Sequence, residues 1–466
     1  MAAIRPSSML LGFAAALAAC GASHPPPSAG GGDDFVVALE VGNEAFLDPA
    51  VADWRLDRAV ALGARWVRVS VPWVLVEQEK GVLTWAGTRP GPFDVDHLMA
   101  GIRSRGLGAV VIVQYTPTWA REPGSFGDVY TPPADPADYG RFAGEVARRY
   151  GDVIRLLEVW NEVDVDDTLD PPDGAPLGWS PFWHGSVAQY VAILNSAYDA
   201  VKAAAPHVLV LSSGLAPLTP HLLERWLHDF FTNEPRPRFD WFGWHPYGMV
   251  AEAGPDANDG STSSFRGFER IAERLDLEGY GGVPVFLSEF GCRQDSDDPS
   301  MQAWVEEVVA TMLPQAFAVA RSSPRVKGLV WFSLQYEGWE GDYGLFTRDE
   351  DTPAREPRPS AASFETFATL TDGYGFEERE AGTDDGSEPE VYRFARRDGK
   401  RLWIAYAPFV PPWFGVVEPQ DMTIHASPGA VLRIVGRDGE EGQVTVGADG
   451  TATILATHRV AYVVEP

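Results

Sequence analysis

Eight short apolar runs recur between residues 35 and 334, and a helical stretch follows each of them. The runs are 35–41, 65–71, 109–114, 153–159, 208–212, 239–244, 283–289 and 326–334. Each is mostly apolar at both its odd and its even positions. Strands of that kind are buried on both faces, and strands separated by helices pair in parallel. Eight such units predict a closed (β/α)8 barrel rather than an open doubly wound sheet. An open sheet of the nucleotide-binding kind carries a Gly-rich turn after its first strand. Here the first strand is followed by Gly42, Asn43 and Glu44, which is no such turn. The barrel is expected over residues 35–371, its last helix covering 360–370.

Past Asp372 the texture changes. Short runs at 391–395, 402–407, 422–425, 431–435, 443–446, 452–456 and 459–464 are separated by turn residues, with Asp398-Gly399, Asp438-Gly439 and Asp449-Gly450 as hairpin signals. Residues 372–466 therefore read as a small antiparallel β-sandwich domain. No long linker precedes it, so firm packing on the barrel is expected.

The other end of the chain reads as an export signal. Residues 1–20 place Arg5 before an apolar run over 9–19, too short to span a bilayer. The run ends Leu17-Ala18-Ala19-Cys20, which resembles a bacterial lipobox with Cys20 as the lipidated residue. Residues 21–34 are rich in Pro, Ser, Gly and Asp and read as a flexible tether. Gly21 after Cys20 resembles lipoproteins sorted to the outer membrane. The expected location is thus the outer membrane or cell surface, with membrane contact through the N-terminal lipid anchor only.

A formal net charge of −29 repels phosphate backbones and excludes nucleic acid as a partner. There is no phosphate-binding Gly-rich loop. The nine His and two Cys show no zinc spacing, so neither metal nor cofactor is expected. Sixteen Trp exceed common usage, and most are expected in the core; indole faces also suit sugar rings.

In a barrel of this kind, functional groups collect at the C-terminal ends of the strands. Those ends carry Asn43 and Glu44, Arg68 and Trp73, Tyr115 and Trp119, Asn161 and Glu162, His245 and Tyr247, Glu289, then Trp331 and Gln335. Two carboxylates, an amide, a cation and aromatic rings suit glycosidic bond cleavage. A carboxyl can protonate a leaving oxygen, and an amide can hold a ring hydroxyl. The Ser/His/Asp set of an acyl hydrolase is missing. Glu158 points the same way as Glu162 but lies deeper, and reads as a structural partner for Arg68.

Five motifs in order, Leu62-Gly63-Ala64-Arg65-Trp66-Val67-Arg68, Tyr115-Thr116-Pro117-Thr118-Trp119, Glu158-Val159-Trp160-Asn161-Glu162, Trp244-His245-Pro246-Tyr247 and Leu287-Ser288-Glu289-Phe290-Gly291, resemble the retaining glycoside hydrolases of clan A. The nearest texture is that of the xylosidase and iduronidase family. The resemblance implies Glu162 as acid/base and Glu289 as nucleophile. It also implies that Arg68 and Tyr247 contact the nucleophile, and that Asn161 binds the hydroxyl beside the reacting carbon. Trp331 would be the platform under the reacting ring; His245 would bind sugar or orient Tyr247. Trp119 is a further substrate-binding candidate. The sequence departs from the family at Val163, where Pro is frequent, and in the acidic run Asp164, Asp166 and Asp167, which could alter subsite preference or bind a cation, though it lacks the spacing of a calcium loop. The expected activity is O-glycosyl hydrolysis of a poly- or oligosaccharide by double displacement. The alternatives are transglycosylation on the same site, or a non-catalytic carbohydrate-binding lipoprotein.

Overall fold

The computed structural model describes residues 35–42, 45–88, 91–121, 127–164, 182–216, 220–247, 264–335, 341–347, 355–384, 386–408 and 419–466. The expected signal, lipobox Cys20 and tether lie outside these residues, as do Asn43, Glu44, Asp166 and Asp167.

Among the described residues, eight strands of the parallel sheet alternate with eight helices of ten residues or more. The strands are β1 (Val36–Glu40), β2 (Trp66–Pro72), β3 (Gly108–Gln114), β4 (Ile154–Val159), β5 (Leu209–Leu211), β6 (Phe242–Trp244), β7 (Val285–Phe290) and β8 (Val326–Trp331). The helices are α1 (Pro49–Ala61), α2 (Val95–Ser104), α3 (Pro136–Tyr150), α4 (Val187–Ala204), α5 (Pro220–Thr232), α6 (Gly267–Leu277), α7 (Gln302–Ser322) and α8 (Pro359–Thr371). All strand pairs are parallel, in the order β5-β4-β3-β2-β1-β8-β7-β6. Single bridges from Leu211 to Trp241 and from Leu215 to Trp244 span the β5–β6 seam. The expected (β/α)8 barrel is therefore present.

Local chemistry starts several helices. Asp48 and Asp135 each accept a hydrogen bond from the backbone two residues on, with Pro49 and Pro136 at the first helical position. Ser186 and Gln189 form a reciprocal capping box on α4. Gly140 lets α3 sit against α4, since a Cβ there would lie 2.1 Å from Ser196 Oγ.

Inside the barrel, Val36, Ala38, Trp66, Val110, Leu156, Leu211, Phe286 and Val330 pack into an apolar floor. A strand turns every second residue to the same face. One step above the floor, that period places Glu40, Arg68, Glu158 and Ser288 inward. The floor excludes water from below, so these groups must satisfy one another.

The described residues past Asp372 form β9 (Tyr374–Ala381), β10 (Glu390–Arg396), β11 (Arg401–Tyr406), β12 (Gln420–His425), β13 (Val431–Gly436), β14 (Glu441–Thr445), β15 (Thr451–Ala456) and β16 (Ala461–Val464). A six-stranded antiparallel sheet, β9-β10-β11-β16-β13-β14, faces the β12-β15 pair. Trp403, Leu432 and Val463 meet Met422, Ile424 and Ile454 between them. The opposite face of the large sheet places Tyr392, Phe394, Ile404 and Tyr462 in the core shared with the barrel helices. Polar contacts fix this docking. Arg437 Nη1 donates to Glu307 Oε1 of α7 at 3.0 Å, and Gln315 Nε2 donates to the His458 carbonyl at 3.0 Å.

Strand β9 was not expected from the sequence. It is an edge strand whose carboxylates hide its pattern. Glu377, Glu378 and Glu380 all pair with Arg393 on the neighbouring β10.

Candidate active site

Arg68, on the inward face of β2, organises the barrel mouth. Its side chain is 2% exposed. Its Nε donates to Glu158 Oε2 at 2.9 Å, and its Nη2 to Asn161 Oδ1 at 2.9 Å. Its Nη1 donates to Glu289 Oε2 at 2.8 Å and, over a longer 3.2 Å, to Glu40 Oε2. The planar fork thus reaches four side chains from β1, β4, the loop after β4, and β7. Glu158 also accepts from Gly214 N at 3.0 Å and from Ser288 Oγ at 2.9 Å. Glu158 is indeed a partner of Arg68, and Arg68 also touches Glu289; both expected contacts hold together.

Glu289, next to last in β7, has both carboxylate oxygens engaged, the second accepting from the Tyr247 hydroxyl at 2.9 Å. Burial alone would raise its pKa. The charges of His245 and Arg68, with hydrogen bonds from Tyr247 and Arg68, outweigh burial and hold this carboxyl below its usual value. The Tyr247 phenol is pushed well above its usual value, first by burial and then by the Glu289 and Glu162 charges. It is therefore a standing proton donor.

Glu162 follows β4 on a strained segment. Trp160 and Glu162 have φ of 68° and 44°, in the left-handed region that side chains rarely adopt. Trp160 N donates to the Val113 carbonyl at 3.1 Å and Glu162 N to the Gly214 carbonyl at 3.1 Å, which hold the segment in place. The Glu162 carboxylate meets His245 Nδ1 at 2.8 Å. His245 is fully buried and turns this nitrogen to Glu162 rather than to the Tyr247 hydroxyl. Burial lowers its tendency to protonate, but the Glu289 charge and the bond to Glu162 raise its pKa overall. Gly214 is the counter-surface: a Cβ there would lie 2.0 Å from His245 Nε2 and 2.5 Å from Ser288 Oγ.

One oxygen from each of Glu162 and Glu289 and a ring nitrogen of His245 lie within 4.8 Å of one another. Three such atoms could in principle share a cation. However, the Arg68 guanidinium already places positive charge against Glu289, and Tyr247 and Arg68 occupy both of its oxygens, which disfavours a metal ion there.

Six expected residues therefore meet: Arg68, Asn161, Glu162, His245, Tyr247 and Glu289. Trp119 does not join them through any hydrogen bond or ring contact among the described residues. It lies half-buried, edge-on to Trp73, and its Nε1 donates to the Glu77 carbonyl at 2.7 Å. Trp331 is 0% exposed and edge-on to Phe290. A ring with no free face cannot carry a sugar, so the expected platform role does not fit Trp331. The next residue, Phe332, is half-buried beside Tyr343. Cys292 is a free thiol whose pKa burial pushes up to about 12, so it stays protonated. Gln335 donates to the Thr347 carbonyl at 3.2 Å and is structural.

Two further features were not anticipated. Glu40 escaped notice inside an apolar strand, although a lone carboxylate in such a strand was the available signal. Asp164 is fully buried: its Oδ1 accepts from Ala216 N at 3.0 Å, while burial raises its pKa well above the usual value.

The architecture has solved counterparts. A family 39 glycoside hydrolase from Bacteroides cellulosilyticus WH2 superposes with a TM-score of 0.64 at 18% identity, over 93% of this chain and 82% of that one. The catalytic domain of GH30 xylanase C from Talaromyces cellulolyticus gives 0.56 at 12% identity, over 92% and 97%. This chain has the barrel fold of the clan A glycoside hydrolases. GH5_18 from Streptomyces cattleya, solved in complex with GlcNAc, gives 0.50 at 18% identity, over 72% of this chain and 79% of that one. No protein-family model matches the sequence, and no curated protein sequence matches it. At these identities the clan A likeness is one of fold, and any activity has to be argued from the side chains.

Proposed function

We propose that this protein is a retaining glycoside hydrolase acting on O-glycosidic bonds of an oligo- or polysaccharide. The observation that carries the reading is the 4.8 Å limit on the separation of a Glu162 and a Glu289 oxygen across the barrel mouth. Double displacement uses carboxyl groups roughly 5–5.5 Å apart, whereas inversion needs roughly 6.5–9.5 Å to admit a water. The asymmetry of the pair supports the roles. Glu289, held ionised by Arg68 and Tyr247, attacks the anomeric carbon. Glu162 gives its proton to the leaving oxygen as that bond breaks. Water then attacks the glycosyl ester, gives its proton to Glu162, and Glu289 leaves with the electron pair. Asn161 has its oxygen turned to Arg68, which leaves its NH2 donors for a substrate hydroxyl. Phe332, just past β8, is the partly exposed aromatic residue there and the better stacking candidate than the closed-off Trp331.

Azide rescue tests the reading. Glu162→Ala on an activated aryl glycoside should yield a glycosyl azide of retained configuration, and Glu289→Ala the inverted one. The opposite pairing would reverse the roles, and absence of cleavage by the wild type across a panel of aryl glycosides would remove the reading. The same enzyme would be exported and held to the bacterial surface through Cys20, as the lipobox indicates.

A further inference from the structure

Three carboxyls, the buried Glu40 and Glu158 and the partly buried Glu289, meet one guanidinium. If all three were ionised, Arg68 would offset only one of the three negative charges, while His245 turns to Glu162 instead. Burial makes such an excess costly, and a proton is the simplest relief. The hydrogen bonds indicate where it goes. Glu158 accepts from three donors: Arg68 Nε, Gly214 N and Ser288 Oγ. Glu289 accepts close bonds on both oxygens. Among the described residues, Glu40 accepts only from Gly42 N at 3.1 Å and, over the longer, shared bond, from Arg68 Nη1.

We propose that Glu40 is a positioning residue of the active site, which shares Arg68 with Glu289 and carries a proton while Glu289 carries its charge. This rests on the reading of Glu289 as nucleophile. Among the described residues, the charged groups facing Glu40 are Arg68 from β2 and Glu289 from β7, with Glu158 of β4 reached through Arg68. From β8, the strand on its other side, the only charged residue is Lys327, near the opposite end of that strand. In support, burial pushes the Glu40 carboxyl up to about 7, with Arg68 opposing and Glu289 adding to the rise.

Glu40 then acts on the two chemical steps in opposite directions. In the first step the bond from Glu289 to the anomeric carbon forms and the bond to the leaving oxygen breaks. Glu162 supplies the proton, and Glu289 loses its negative charge. An ionised Glu40 repels that charge and speeds its loss. In the second step the electron pair returns to Glu289 as water adds and Glu162 takes the proton. An ionised Glu40 slows this return.

The experiment compares wild type with Glu40→Gln, which fixes the neutral form, from pH 5.5 to 8.5. The ratio of wild-type to variant kcat/KM, which reports the first step, is expected to rise roughly tenfold through pH 7. The ratio of kcat on an activated aryl glycoside limited by the second step is expected to fall, and over a lower pH range, because in the glycosyl-enzyme Glu289 no longer carries the charge that raises Glu40. A purely structural residue would scale both steps alike, so flat ratios or ratios moving together overturn the proposal. Carbon-13 NMR of protein labelled at glutamate carboxyls reads the proton without substrate. A resonance lost in Glu40→Gln and titrating near pH 7 supports the proposal; one already ionised at pH 5.5 overturns it. That arm still decides on Glu40 if no glycoside is cleaved and the glycosidase reading falls. If Glu40→Gln does not fold, Glu40→Asp replaces it: retracting the carboxyl from Arg68 should move the titration, and an unmoved titration overturns the proposal.

Discussion

Replacing Arg68 by Met gives the sharpest test of how the barrel mouth is held. The side chain is retained in length and the charge is removed. In the wild type the guanidinium makes four hydrogen bonds, three of them to carboxylates. Removing one partner of a buried ion pair costs about 3–5 kcal/mol, because the remaining charge is left unpaired. Here Glu289 is left without this cation and responds by binding a proton. The sign follows from linkage. Its unfolded-state value is near 4.5, and without Arg68 its folded value rises above it. The folded variant is therefore favoured by protonation at low pH and loses stability as pH rises through the raised value. The wild type, whose Glu289 sits below its usual value, keeps the stability from that group above pH 4.5. Urea denaturation at pH 4.5 and pH 8 should show the deficit of Arg68→Met growing from a small value to about 3–5 kcal/mol. A deficit below about 1 kcal/mol at pH 8, or one independent of pH, would refute the argument that this cation holds the cluster.

Tyr247→Phe removes one donor from Glu289 and should raise its pKa, moving the acidic limb of kcat/KM upward by about one pH unit; an unmoved limb contradicts the assigned contact. Gly214→Ala would drive a methyl into the His245 ring and the Ser288 hydroxyl. A loss of about 1–3 kcal/mol and a sharp drop in kcat are expected, measured by thermal melts and steady-state kinetics; wild-type behaviour in both would show that the ring does not rest there. Phe332→Ala should raise KM for glycosides by about tenfold, as stacking is lost, whereas an unchanged KM would remove Phe332 from the sugar site. Intact mass of the mature protein should show a diacylglycerol on Cys20, and a detergent-free soluble form lacking that mass would remove the anchor.

The barrel was legible in the sequence because strands buried on both faces must be apolar throughout, and the helices between them dictate parallel pairing. Glu162 and Glu289 were legible for the same reason: each is a carboxylate where an apolar strand stops. Strand β9 was not, because its carboxylates are matched by Arg393 on another strand, a pairing no local pattern contains. The platform expected at Trp331 failed because exposure at a strand end depends on how the last residues turn. There Trp331 is closed off and Phe332 is partly exposed. Local sequence determined the elements and the chemistry available at their ends. Only the closed barrel decided that Arg68 would be shared by residues up to 221 positions away. It also decided that Glu40 would become the third carboxyl in that cluster. Charges in a dry interior take their meaning from neighbours in space, and barrel closure supplies those neighbours from distant parts of the chain.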